Sequence, residues 1–223
     1  MSIANQLQNL LQSGIHRIGQ LEIKTIDSNL RFIIFHHLDS ERYQEPNFGG
    51  LEQHIGPADA RDLSTYAEDG TYRFTKGQTN LKRGWVMILE NAEELRMALD
   101  QFYPACLGLY LAQINDSLEV ENLRDKLNRQ TGMYRFARSI SDEGAQKLVQ
   151  EICGPAHQCA KRILWKIDES TPLVDSEASR FNGIPDDLAE NEAIPLLCRE
   201  ACNHFVAECR RVAKEAYNGP KAP

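Results

Sequence analysis

Apolar positions recur at helical spacing over residues 2–12, which predicts a short amphipathic helix at the start of the chain. Two β-rich runs follow. LEIKTI (21–26) and RFIIFHHL (31–38) predict strands, with the turn-forming Asp27-Ser28-Asn29 between them. Residues 46–57 carry the Gly and Pro of a loop, Asp59 to Tyr66 predicts a helical turn, and Asp69-Gly70 leads into a short strand, TYRF (71–74). Trp85 to Leu89 predicts a further strand. Asn91 with Glu94 three residues later reads as an N-cap opening a helix to about Phe102, and Pro104 separates it from a second helix over 105–114.

From Asn115 onward the pattern becomes helical. Residues 118–130 predict one helix, and Ser141, followed by Asp142 and Glu143, caps another over 142–153. Gly154-Pro155 stops that helix, and a new helical segment near Ala156 carries Cys159. The last helix is predicted to open with Pro195 at its first position and to end at Asn218-Gly219. Between Asp168 and Glu192 lie eight acidic residues, one basic residue and two prolines, the composition of either a functional excursion or a mobile linker inside the second domain, with the acidic run expected to be solvated rather than catalytic. The expected fold class is therefore α+β. A mixed domain with a small antiparallel sheet spans 1–115, and a mainly helical domain spans 116–223.

Composition narrows the function classes. Hydrophobic residues make up 42% and charged residues 26%, ordinary for a globular protein, and no apolar run reaches the roughly 18 residues of a membrane span. The first twenty residues lack the basic start and apolar core of a secretory signal, so a cytoplasmic location without membrane insertion is expected. A net charge of −7 disfavours binding to a phosphate backbone, and no nucleic-acid partner is expected. In a reducing compartment the six cysteines do not suggest disulfides, and metal binding, catalysis or core packing must account for them.

Five of those cysteines fall in the last third of the chain, at 153, 159, 198, 202 and 209, whereas Cys106 stands apart. The spacing is Cys-x5-Cys, then 38 residues, then Cys-x3-Cys. On a helix, positions four apart share a face, so Cys198 and Cys202 would reach one centre together. The Gly-Pro helix stop would let Cys153 and Cys159 approach it from another side. Four thiolates on two segments suit a cuboidal cluster in which each binds a different iron. Spacing alone leaves two other readings open: buried core cysteines, since Cys198, Cys202 and Cys209 share a stripe with Ile194, Phe205 and Val212, and a four-cysteine zinc site that stabilises structure. Lys161, Arg162 and Arg199 stand beside the proposed ligands, where they would offset the charge of an anionic cluster or simply solvate a helix face.

The segment TGMYRFARSISDEGAQKLVQEICGPAHQCAKRILW, together with CREACNHFVAECRR, resembles the [4Fe-4S]-binding domain of proteins related to CbiX-type sirohydrochlorin cobaltochelatases. ADARDLSTYAEDGTYRFTKGQTNLKRGWVMILENAEELRMALDQFYPA resembles the stabilising domain of the same proteins. The resemblance implies one [4Fe-4S] cluster as cofactor, held by Cys153, Cys159, Cys198 and Cys202. It further implies an accessory or redox module in tetrapyrrole (sirohydrochlorin or cobalamin) metabolism, partnered by a tetrapyrrole or a chelatase protein, or else a subunit of a tetrapyrrole chelatase. Nothing in the sequence resembles the chelatase domain itself.

Other chemistry-bearing residues have weaker patterns. His36 and His37 are adjacent on a predicted strand and would point to opposite faces, so a shared site is not expected. His157 and His204 flank the cysteines and are expected near the cluster rather than on it. Tyr72, Arg73, Lys82, Arg83 and Trp85 combine aromatic and cationic groups suited to an anionic ligand, although strand packing with a charged outer face is the preferred account of them.

Overall fold

The computed structural model describes residues 2–26, 31–43, 48–128, 137–153, 159–168, 192–199 and 201–217. It is α+β and divides into two compact units. The first comprises the described residues of 2–117 and 192–196, and the second those of 118–168 and 197–217. On its first pass the chain changes unit between Ser117 and Leu118, and residues 192–196 belong with the first unit.

In the first unit, α1 (Ile3–Gln12) is followed by β1 (Arg17–Ile18), β2 (Leu21–Thr25), β3 (Phe32–His36), β4 (Glu52–Ile55), α2 (Ala60–Thr65), β5 (Trp85–Leu89), α3 (Ala92–Phe102) and α4 (Cys106–Ile114). The returning segment adds β9 (Ala193–Ile194), and the sheet runs in the order β4-β5-β3-β2-β1-β9. Its interior pairs are antiparallel, as expected, whereas β4 and β9 join the edges in parallel. Neither edge strand was legible in the sequence. Glu52-Gln53-His54-Ile55 is largely exposed and has no alternation to betray it, and Ala193-Ile194 is only two residues long.

Period-two alternation sorts the central strands into two buried faces. Ile33, Phe35 and Val86 pack with Leu51 in one apolar cluster, while Trp85 stacks on Phe102 of α3 at 5.2 Å and 8°. Gly19 turns β1 into β2 at φ +52°, and the turn sits so close to the core that a Cβ there would meet the Tyr103 ring at 2.7 Å. Asn91 caps α3 as expected, its Oδ1 accepting from the N–H groups of Glu93 and Glu94, each at 3.0 Å. TYRF does not form a strand. Its neighbourhood is held by isolated bridges, Tyr66 to Tyr72 and Ala67 to Leu81.

The second unit contains β6 (Glu121–Asn122), α5 (Leu123–Asn128), α6 (Asp142–Leu148) continued by a π-turn over Val149–Cys153, β7 (Arg162–Ile163), β8 (Trp165–Lys166), β10 (Leu197–Cys198) and α7 (Asn203–Tyr217). Two small parallel pairs, β10 with β7 and β6 with β8, brace the helices. Helix α6 begins at its predicted cap, with Ser141 Oγ accepting from Gly144 N–H at 3.1 Å. The final helix does not begin at Pro195. That proline lies between β9 and β10, and strand pairing holds the chain extended through Cys198 before the helix opens at Asn203. Residues 159–161 are likewise not helical. Gly154-Pro155, His157, Asp27-Ser28-Asn29 and most of the acidic stretch lie outside the described residues.

Candidate iron–sulfur site

Each of the four proposed ligands ends or precedes a regular element. Cys153 is the last residue of the π-turn after α6, a widened helical turn of the kind that re-aims side chains at functional sites. Cys159 follows on an extended segment, Cys198 ends β10, and Cys202 immediately precedes α7. Pairing of β10 with β7 fixes Cys198 opposite Ile163, and Leu164 N–H donates to the Cys198 carbonyl at 2.8 Å. Cys202 takes the place of an oxygen N-cap. Its carbonyl accepts from Val206 N–H at 3.0 Å, and its sulfur accepts from Phe205 N–H at 3.5 Å. A sulfur facing the free N–H groups of a fifteen-residue helix sits where negative charge is favoured, as a ligating thiolate requires.

Three of these thiols, with Cys209, have raised pKa values, and burial is the first cause for each. The second influence shows their convergence. A charge on Cys159, Cys198, Cys202 or Cys209 raises Cys153 further; Cys159 and Cys202 act on Cys198; and Cys202 acts on Cys159 and Cys209. Cys198 is pushed up to about 11 despite the opposing pull of Lys161. All six cysteines are free thiols. Buried thiols that repel one another's charge form a donor set that a cationic centre would relieve, and ligation would release their protons. No three described His, Cys, Asp or Glu side chains lie close enough to hold a single metal ion. A cuboidal cluster does not require that arrangement, because each cysteine takes a different corner iron.

Cys153 and Cys209 are buried in the core of this unit with Phe205, Val206 and Trp165, while Cys198 and Cys202 pack against it half-buried. Cys209 is fully enclosed and its thiol is pushed up to about 12, first by burial. Cys106 belongs to the other unit, where its sulfur reaches the Pro195 carbonyl at 3.4 Å. Of the flanking cations, Lys161 lies near the sulfurs of Cys159 and Cys198 and favours their charged forms. Arg199 is instead engaged by Glu121 at 3.1 Å and Glu119 at 3.9 Å, and Arg162 is exposed. His204 is exposed in the first turn of α7. Sequence reasoning overlooked Trp165, whose buried indole N–H has no hydrogen-bond partner among the described residues.

The other sequence candidates behave differently. His36 and His37 do not point to opposite faces: the strand ends at His36, a 3₁₀ turn begins at His37, and the rings stack at 4.8 Å. His36 is fully enclosed, with Nδ1 accepting from Leu38 N–H at 3.1 Å. Its pKa is lowered to about 3, first by burial and then by repulsion from His37, Arg83, Arg17 and Arg73. The folded value lies below the ordinary 6.5, so His36 contributes stability that is complete above pH 6.5 and is lost as pH falls toward 3. Between pH 6.5 and 5 the first unit should lose stability with a slope approaching about 1.4 kcal/mol per pH unit. His36→Gln should flatten that slope in urea unfolding, and an unchanged slope would remove His36 as its cause.

The proposed anionic-ligand surface is largely dispersed. Trp85 and Arg73 are core residues, Arg83 pairs with Glu68 at 3.0 Å, and Lys82 lies 3.7 Å from Glu52. Tyr72 alone remains on an open wall, in an edge-to-face series with Tyr66 and Phe74. Tyr66 and Tyr72 join Arg61 and Lys76 around a cavity of about 480 Å³, with Asp62 its acidic wall residue. Lys76 is lowered to about 8, by burial first and then by Arg73 and Arg61, which marks a local concentration of positive charge.

Residues 115–211 match the family profile of a 4Fe-4S iron-sulfur cluster binding domain, and residues 3–111 match that of the DR2241 stabilising domain. No curated protein compared matches the chain. Among solved structures, DR2241 from Deinococcus radiodurans shares 23% identity at a TM-score of 0.73, over 96% of this chain and 41% of that one. That structure is described as a multi-domain protein with structural similarity to chelatases and two additional novel domains. The present chain spans less than half of its length. No described helix is long and apolar enough to cross a membrane.

Proposed function

This chain joins a DR2241 stabilising domain to a 4Fe-4S iron-sulfur cluster binding domain, and on that premise we propose that Cys153, Cys159, Cys198 and Cys202 hold its cluster. The observation that supports the ligand assignment is placement: the four sulfurs stand at a helix end, an extended segment, a strand end and a helix start of one unit, where a charge on Cys159, Cys198 or Cys202 is felt at another of the four, whereas Cys209, which shares that influence, lies inside α7 and is enclosed in the core. The bound cluster supplies one-electron redox chemistry or a covalent brace between these segments. The chain itself positions the sulfurs, sets cationic Lys161 beside two of them and shields Cys153 from solvent. Its expected role is that of an accessory or redox module in the cytoplasm. Anaerobic purification should give a brown protein with broad absorbance near ~400 nm and equal iron and acid-labile sulfide. A colourless protein containing zinc would replace this reading with a structural one.

A tetrapyrrole role is the second reading, favoured by the chelatase similarity described for DR2241 and by the cavity of Arg61, Tyr66, Tyr72 and Lys76. Aromatic walls suit a flat macrocycle, and paired cations suit its carboxylates. In this reading the chain acts beside a chelatase partner, as an accessory or as a subunit. Saturable binding of sirohydrochlorin at micromolar concentration is expected, weakened at least fivefold in Arg61→Ala/Tyr72→Ala. Failure of both the isolated chain and its mixture with a chelatase to bind would remove the tetrapyrrole role.

A further inference from the structure

A buried N–H without an acceptor is costly, so a native protein that retains one needs a reason for it. Trp165 is 1% exposed, and its Nε1 has no partner among the described residues. The residue is otherwise tightly held. It opens β8 opposite Glu121, and its ring meets Phe205 edge-on at 5.3 Å and 62°.

Both neighbours of the indole lead to a proposed cluster ligand. Leu164, directly before Trp165, donates its N–H to the Cys198 carbonyl at 2.8 Å. Phe205, which carries the ring's edge contact, directs its own N–H at Cys202 Sγ from 3.5 Å. The indole N–H also bears on the Cys198 sulfur, where it lowers the thiol pKa in opposition to burial. Among the described residues no contact of that N–H meets the geometry of a hydrogen bond, and a neutral thiol is a weak acceptor. A ligating thiolate is a much better acceptor, and a dry site strengthens the bond.

We propose that Trp165 is a positioning and tuning residue for the cluster, its indole N–H donating to the Cys198 thiolate once that sulfur is bound to iron. This rests on the reading of Cys198 as a ligand. The bond draws electron density from sulfur and stabilises the more negative, reduced cluster more than the oxidised one, so it raises the reduction potential. It also accounts for the orphaned donor, which finds its acceptor in the loaded protein.

Trp165→Phe keeps an aromatic ring against Phe205 and removes the donor. In the full chain, reconstituted anaerobically, the variant should hold wild-type iron and sulfide while its midpoint falls. Poised at the wild-type midpoint, its reduced-to-oxidised ratio should drop by about three- to tenfold, tenfold corresponding to 59 mV for one electron. Full iron with an unchanged midpoint would overturn the proposal for Trp165. If the variant loses iron, benzothienylalanine placed at position 165 decides by the same titration, since it retains the fused ring with sulfur in place of N–H. Cys198→Ser tests the underlying reading separately: full cluster content there removes Cys198 as a ligand whatever Trp165 does.

Discussion

Replacing any one of Cys153, Cys159, Cys198 or Cys202 with serine should lower iron and acid-labile sulfide per chain severalfold and destabilise the second unit, whereas Cys106→Ala and Cys209→Ala should retain the cluster. The coupling follows from the site's construction. Its sulfurs come from separate segments, and two of the strands that place them, β7 and β10, contribute only two residues each. Elements so short add little stability of their own, so a cluster joining them supplies much of the unit's folding free energy. Cys209 provides the sharper control. It lies seven residues beyond Cys202, about 10 Å further along α7 at 1.5 Å per residue, and is enclosed beside Phe205 and Val206. Its truncation should cost about 1 kcal/mol of packing without loss of iron. Full occupancy in two of the four serine variants, or an empty Cys209→Ala, would overturn the ligand assignment.

The central strands and the long helices were legible because local pattern and tertiary environment agree there. Trp85 to Leu89 is a strand with the predicted ends, and Asn91 supplies its side-chain cap as read. The proposed ligands can be named from the sequence, but their local geometry cannot. The Cys-x3-Cys spacing predicts one helical face, yet pairing with β7 draws Cys198 into a strand, and the helix begins only after Cys202. Helix propensity over 195–202 yields to those pairings, which no local pattern encodes. Cys202 still finds a helix terminus, but as its cap rather than a member of its face. Trp165 was invisible for a related reason: a tryptophan in an apolar run reads as core, and its unmatched N–H emerges only when its neighbours are placed.

TYRF shows the opposite error, and its correction carries the second large effect. Its charge suits Arg73 to an outer face, whether ligand-binding or solvated, but the structure inverts the polarity: Phe74 is 77% exposed and Arg73 is 2% exposed. The guanidinium is an interior strut. Its Nε donates to Asn80 Oδ1 at 3.0 Å, one terminal nitrogen to Ser64 O at 2.9 Å, and the other to Gln78 O at 2.7 Å and Lys76 O at 3.3 Å. One planar fork thus satisfies a backbone carbonyl near the end of α2 and two more in the loop between α2 and β5. Arg73→Ala strips these acceptors together and opens a cavity, and it should destabilise the first unit by about 3 kcal/mol or more. Arg73→Lys should recover only part of that loss, because a single ammonium on a flexible stem cannot reproduce the fork. Arg73→Met fills most of the volume without donors and should remain close to the alanine variant, which separates hydrogen bonding from packing. Urea unfolding followed by Trp85 fluorescence, with Trp165 replaced by Phe in every variant, measures the effect in the first unit. Iron per folded chain should be unchanged throughout. A loss below about 0.5 kcal/mol in Arg73→Ala, the range of an ordinary surface substitution, would return Arg73 to the exterior and refute its role as the loop's anchor.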